Sequence, residues 1–142
     1  MKSHNRTLEV TTAEKQQLKN LTPILREAVD ASGIREGFVG LYSQHTTAAL
    51  LVSEFQDALN DDALEFLKQI VQENIPYKHN SPRYSDCDRR NAASHLRSML
   101  LGHSVLLPVS GGKPVLGEFQ SVILAELDGP RERRLQVQVL GE

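Results

Sequence analysis

His45-Thr46-Thr47 directly follows the apolar run Gly37-Phe-Val-Gly-Leu-Tyr42, so an imidazole and two hydroxyls are placed where a strand is expected to end. An imidazole titrates near neutral pH and serves as general acid, general base or metal ligand. Two later segments carry complementary groups: Asn91-Ala-Ala-Ser-His95 on an expected helix, and Asp128-Gly-Pro-Arg131-Glu-Arg133 after an expected strand. They add an amide, a second imidazole, a carboxylate and guanidinium groups. Together the three segments define one candidate site for proton transfer and local anion binding, assembled from distant parts of the chain.

Side-chain direction decides which of these groups can meet. In an extended strand His45 shares a face with Val39, Leu41 and Ser43, a face turned toward apolar neighbours. Asn91 and His95 are i, i+4 partners beside an Ala92/Leu96 stripe, at the flank of a buried helix face. Gln120, Glu126 and Asp128 point the same way if their strand runs without a bulge.

Each group also has an ordinary structural explanation. A histidine beside an apolar stripe is commonly a hydrogen-bonded structural residue, and Asn91 is a polar residue near a helix start. Asp-Gly-Pro-Arg is a good turn. Arg131, Arg133 and Arg134 form a basic run of the kind that is usually solvated. Cys87 has no base near it in sequence and is read as inert.

The elements that must position these groups follow from periodicity. Leu8 and Val10 alternate with Glu9 and Thr11 in an opening strand. Leu21 to Ala31 reads as a helix, with Leu21, Ile24, Leu25 and Ala28 on one face, Pro23 in the first turn and Gly33 past the end. Strands are predicted over Gly37 to Gln44 and Ala48 to Ser53, then a helix marked by Leu59, Ala63, Phe66, Leu67 and Ile70. Asn74 to Tyr84 is a loop long enough to be functional. A third helix is predicted from Asp88 to Leu101, with Ala92, Leu96, Met99 and Leu100 inward, Gly102 as its stop and Ser85 with Asp88 as a capping-box-like start. Ser104 to Val109, a turn at Gly111-Gly112, Val115 to Leu127 and Leu135 to Leu140 complete the pattern, the last two strands as a hairpin. Helices interrupting runs of strands without regular alternation predict an α+β fold: one domain over residues 1–142, a mainly antiparallel or mixed β-sheet with about three helices packed on it.

Composition narrows the function classes. A chain of 142 residues with 39% hydrophobic content has room for one domain. Its 16 basic and 18 acidic side chains give a formal charge of -2, which neither recruits polyanions nor favours a membrane surface. With 5% aromatics and no basic stripe, nucleic acid is a poor candidate partner. A lone cysteine excludes an intrachain disulfide and fits a reducing compartment. The N-terminal residues lack the apolar stretch of a signal peptide and no run approaches a membrane span, so a soluble cytoplasmic protein is expected.

Five blocks carry a resemblance to a known family: His45-Thr-Thr-Ala-Ala-Leu-Leu-Val-Ser-Glu54, Tyr77-Lys-His79-Asn80, Arg90-Asn91-Ala-Ala-Ser-His95-Leu-Arg97, Leu116-Gly-Glu-Phe-Gln120 and Glu126-Leu-Asp128-Gly-Pro-Arg131-Glu-Arg133. In these blocks the chain resembles the YjbQ-like family, also called the secondary thiamine-phosphate synthase family. The resemblance implies a compact α+β domain that forms a homotrimer, with a polar pocket around the histidines and the arginine-bearing turn. It also implies weak thiamine-phosphate synthase activity, an alkyl transfer that joins a hydroxymethylpyrimidine diphosphate to a thiazole phosphate and releases pyrophosphate, usually with Mg²⁺. Carried across, His45, His95 and Asp128 become the catalytic centre. Asn91 and Gln120 orient substrate or solvent, Arg131 and Arg133 bind phosphate bidentately, and Thr46 and Thr47 donate to the same oxygens. Glu54 matches an acidic family position, although Ser53 precedes it here, and Phe119 stands where the family often has tryptophan.

Two other readings remain open. His45, His79 and His95 with a carboxylate such as Glu54 would make a zinc-type hydrolase centre with an open position. A non-catalytic protein that binds a small phosphorylated metabolite would need the arginines but no general acid or base. For Mg²⁺, the available carboxylates are Asp128, Glu126, Glu54 and Asp88, with no Asp-x-x-x-Asp pair among the blocks.

Overall fold

In the computed structural model, which describes residues 1–142, the strands are β1 (Lys2–Thr11), β2 (Gln17–Asn20), β3 (Gly37–Ser43), β4 (Ala48–Ser53), β5 (Ser104–Ser110), β6 (Lys113–Pro114), β7 (Ser121–Glu126) and β8 (Glu132–Gly141). The helices are α1 (Thr22–Ser32), α2 (Asp57–Ile70) and α3 (Ala92–Leu101), with a 3-10 turn at Lys78–Asn80. Two sheets form, a larger one in the order β1-β8-β3-β5-β6 and a smaller one in the order β2-β7-β4, and their ladders are antiparallel. The expected α+β class with helices packed on antiparallel sheet is thus observed.

The two sheets and α1 share one core. Leu8, Leu41, Leu135 and Val139 come from the large sheet, Leu50 and Leu124 from the small one, and Leu25, Ala28 and Val29 from α1. Pro23 sits in the first turn of α1, and Gly33 ends it at φ 70, a left-handed conformation that glycine adopts without a Cβ clash. The other face of the small sheet packs a second cluster of Ala49, Ala125, Leu127 and Leu67, with Leu101 against it. Covered on both faces, β7 carries the unbroken apolar run Val122-Ile-Leu-Ala125, all buried, where a strand with one solvated face would alternate.

Several sequence expectations are corrected. The stretch from Val115 to Leu127 is not one strand, because β6 ends at Pro114 and pairing resumes only at Ser121. β7 and β8 are not a hairpin: they belong to different sheets, and the short segment between them carries the chain from one to the other. β2 and the first half of β1 fall in polar sequence without an apolar alternation to mark them. α3 begins at Ala92 rather than Asp88, since Ser85 Oγ accepts from the Cys87 N–H and Asn80 Oδ1 caps the Ala92 N–H at 3.0 Å. Its buried face is Ala92, Ala93, Ser94, Arg97 and Ser98, while Met99 and Leu100 are 69% and 59% exposed. On α2 only Leu67 is buried, and Leu59, Phe66 and Ile70 face outward. A sheet of three short strands is too narrow to cover both apolar stripes.

Candidate functional site

The site forms where β3 gives way to β4, against the turn that joins β7 to β8. The β3–β8 ladder ends with Ser43 opposite Leu135. The chain then turns through Gln44 to Thr46, and the Arg134 backbone N–H donates to His45 Nε2 at 3.0 Å. His45 is half-buried, and its pKa is lowered by burial and by the positive charge of Arg133. Thr46 is exposed, whereas Thr47 is buried with its hydroxyl and carbonyl oxygens accepting from Arg133 Nη2 at 3.0 and 3.1 Å.

The β7–β8 turn holds two nested acid–base pairs. The inner-layer pair is Glu126 with Arg133, both almost fully buried. Arg133 Nε donates to Glu126 Oε1 at 2.8 Å and its Nη2 donates to Oε2. Thr12 Oγ1 donates to Glu126 Oε1 at 2.7 Å, and the Asp128 N–H to Oε2 at 3.1 Å. Burial alone would push the Glu126 carboxyl up, but Arg133, Thr12 and the Asp128 amide hold it below the usual carboxylate range. Glycine is favoured at 129, between the pairs, for a packing reason, because a Cβ there would collide with the Glu14 carbonyl and approach Thr12 Oγ1 to 2.9 Å.

The second pair opens toward solvent. Asp128 is buried, yet both of its arginine partners are partly exposed. Its Oδ2 accepts from Arg89 Nε at 3.0 Å, Asn91 Nδ2 at 2.9 Å and Arg131 Nη2 at 3.1 Å. Its backbone carbonyl accepts from Arg131 Nε at 3.1 Å and Arg89 Nη2 at 3.3 Å. Burial raises the Asp128 carboxyl, and the bonds from Arg89 and Asn91 more than reverse this, leaving it below its ordinary value. Two guanidinium groups are thereby oriented by one carboxylate, with remaining donors free to bind an anion.

α3 supplies the third side. Asn91, just ahead of its first turn, bridges the Asp128 carboxylate and His79 Nε2, the latter at 3.0 Å from Asn91 Oδ1. One turn on, the His95 ring packs edge-to-face with His79 at 4.8 Å between centroids. Burial and the neighbouring His79 lower the His95 pKa. Tyr77, His79, Ala92, His95, Leu96 and Met99 line a cavity of about 350 Å³, apolar along its α3 wall. Arg90, on the strand of chain leading to Asn91, holds a left-handed φ of 54, costly for a non-glycine residue and confined to the edge of this site.

The structure therefore brings His45, His95, His79, Asn91, Asp128 and Arg131 into one region and leaves four expected residues out, one of them Thr47, which is buried with its hydroxyl accepting from Arg133. Gln120 is exposed ahead of β7, where its Oε1 accepts from the Gly117 N–H at 2.9 Å. It shares parity with Glu126 but lies six residues away along the chain, roughly 20 Å in extended backbone. Glu54 follows the end of β4 that pairs with Ser121, the end remote from Thr47. Arg133 is near the site but committed to Glu126 and Thr47, so it is a structural cation and not an exposed phosphate clamp. Arg89, which sequence reasoning missed, pairs with the Asp128 carboxylate beside Arg131; the only signal for it is its position in a basic pair just before Asn91. Thr12 was likewise invisible, being brought in by the β1–β8 edge.

No three His, Cys, Asp or Glu side chains converge as a ligand group. His45 Nε2 is taken by a backbone amide, and His79 and His95 meet edge to face. Glu126 and Asp128 are occupied by arginines and an asparagine. These residues fit neither the expected zinc centre nor an oxygen-rich Mg²⁺ site.

A small α+β protein with two antiparallel sheets and a polar site at their junction is the class defined so far. Residues 6–142 match the family model described as UPF0047 protein YjbQ-like. A UPF0047 protein of Methanothermobacter thermautotrophicus is 36% identical over 142 residues, covering 100% of this chain and 95% of the relative. One from Archaeoglobus fulgidus is 38% identical over 133 residues, covering 94% and 98%. Among solved structures, a YjbQ-like protein of Sulfolobus solfataricus P2 superposes with a TM-score of 0.91 at 35% identity, covering 99% of each chain. The chain belongs to the YjbQ-like UPF0047 family.

Proposed function

We propose that the chain acts on a small phosphorylated metabolite, and that its reaction is the thiamine-phosphate synthase type of alkyl transfer implied by the family resemblance. The observation that carries this reading is the pair Arg89 and Arg131, both partly exposed, aimed by one buried carboxylate beside two histidines held toward their neutral forms. In such a transfer the thiazole nitrogen uses its lone pair to form a bond to the hydroxymethyl carbon. The carbon–oxygen bond to the diphosphate breaks, and its electron pair leaves on pyrophosphate. No proton needs to move in that step, so the protein's task is to absorb negative charge on the departing oxygens, which positioned guanidinium groups do. The cavity bordered by His79, His95, Leu96 and Met99 is of a size and polarity to take the organic part of the ligand. Because the carboxylates do not fit a metal, no step is assigned to one.

The test is turnover. Purified chain with hydroxymethylpyrimidine diphosphate and thiazole phosphate should form thiamine phosphate and pyrophosphate, and Arg131→Ala should abolish it while melting as a folded protein. Equal turnover in the variant would remove the arginines from the mechanism. The commitment of both buried carboxylates to arginines also favours a binding-only role, for which pyrophosphate would bind saturably with no product formed.

We also infer a homotrimer, as the resemblance implies. Its support is the unpartnered apolar surface of α2 and α3, where Phe66 and Met99 are 60% and 69% exposed. Sedimentation at about three times the chain mass of 15.8 kDa checks it. No helix is long and apolar enough to cross a membrane.

A further inference from the structure

Where β3 stops pairing with β8, the imidazole of His45 stands in for the missing strand carbonyl by accepting the Arg134 N–H at Nε2. A ring nitrogen that accepts a hydrogen bond holds a lone pair and no proton, so a neutral His45 carries its proton on Nδ1. This has two chemical consequences. Nε2 is not free to ligate a metal or to remove a proton. Nδ1, being protonated, cannot ligate one either. What is left is a donor: the one hydrogen bond formed by the ring is at Nε2, and besides the Arg134 backbone the groups acting on it are Arg133, Glu126 and Arg131, the last of which belongs to the open pair.

We propose that His45 is a fixed hydrogen-bond donor, its Nδ1–H directed to an oxygen of the ligand whose phosphate is held by Arg89 and Arg131, and that it is neither a base nor a metal ligand; this rests on the phosphate-binding reading above. The backbone contact presets the tautomer before ligand arrives, so the donor needs no reorganisation on binding. A residue that sequence alone marks as acid, base or zinc ligand thereby becomes part of an anion cradle.

Long-range proton–nitrogen correlation spectra of the ¹⁵N-labelled chain at pH 7 test the tautomer with no ligand present. Nδ1 should be the protonated, pyrrole-type nitrogen and Nε2 the pyridine-type one; a protonated Nε2 overturns the donor role. Calorimetric titration with pyrophosphate tests its use. In His45→Asn the amide nitrogen lies near the Nδ1 position, and in His45→Gln it lies near Nε2. The asparagine variant should bind within about threefold of the parent and the glutamine variant about tenfold more weakly, the value of one hydrogen bond. Equal losses in both variants overturn the proposal. A parent with the Nδ1–H tautomer that binds no pyrophosphate overturns the phosphate reading together with the donor role, whereas a parent that binds pyrophosphate with Nε2 protonated overturns the donor role alone.

Discussion

Glu126 with Arg133 and Asp128 with Arg131 are nested about the same turn, use the same two kinds of charge and lie within eight residues, yet they do different work. The first pair has both partners about 1% exposed or less, and its bonds are closed by Thr12, Thr47 and a backbone amide. The second has a buried carboxylate, but its arginine reaches solvent and is joined there by Arg89. What separates them is the exposure of the cation. A buried ion pair locks two sheets together at the point where the chain crosses between them, and a half-open one presents a guanidinium group whose orientation has already been set. Residue type and spacing do not distinguish the two; burial does.

The sharpest way to break this comparison is to remove one partner of the closed pair. Arg133→Ala leaves the Glu126 carboxylate buried without its cation and should cost about 3–5 kcal/mol in urea denaturation. The double change Glu126→Leu with Arg133→Met should recover most of that loss, since apolar replacement of a whole buried pair is often near neutral. Gly129→Ala, which forces a Cβ against Glu14 and Thr12, should cost about 1–3 kcal/mol by the same assay.

Arg131→Ala acts on the open pair and should leave stability within about 1 kcal/mol, because its partner keeps Arg89 and Asn91 and the arginine is partly solvated. Pyrophosphate affinity by calorimetry should instead fall by roughly 10- to 100-fold, the range for a charge-assisted hydrogen bond. A large stability loss with unchanged affinity would reverse the roles assigned to the pairs.

Acid should expose both pairs and both histidines. The pKa values of His45 and His95 are lowered in the folded chain, so as pH falls below about 6.5 the unfolded imidazoles take up protons first and stability declines. Glu126 and Asp128 are lowered too. Their contribution is present above the ordinary carboxylate pKa of about 4 and is lost as pH falls further, toward the folded-state values. Melting temperature should therefore drop in two stages between pH 7 and pH 3, and a flat profile would contradict the shifts. The smallest effect belongs to Gln120→Ala, an exposed turn residue, which should change stability by less than about 0.5 kcal/mol and leave anion affinity unaltered.

How much of this was legible in the sequence depends on the kind of statement. The strands around His45, the helix bearing His95 with Asn91 just ahead of it, and the turn bearing Asp128 and Arg131 follow from periodicity and turn chemistry, and the family resemblance joins them into one site. Parity along β7 correctly sets Glu126 inward but says nothing of distance, which is why Gln120 was expected at a site it does not reach. Arg133 and Arg131 are indistinguishable as letters, and only the β1–β8 and β4–β7 pairings reveal that one is enclosed. Arg89 enters through a loop whose course no local pattern specifies. The exposed faces of α2 and α3 mislead for a related reason, since an apolar stripe signals that something must cover it without saying that this chain does so.

The most direct test of the division between the pairs is to follow the arginine Nε–H resonances of the ¹⁵N-labelled chain during titration with pyrophosphate. Arg89 and Arg131 should shift saturably, while Arg133, enclosed with Glu126 away from solvent, should stay in place. Movement of Arg133 with Arg89 and Arg131 unmoved would contradict the assignment of the open pair as the anion site.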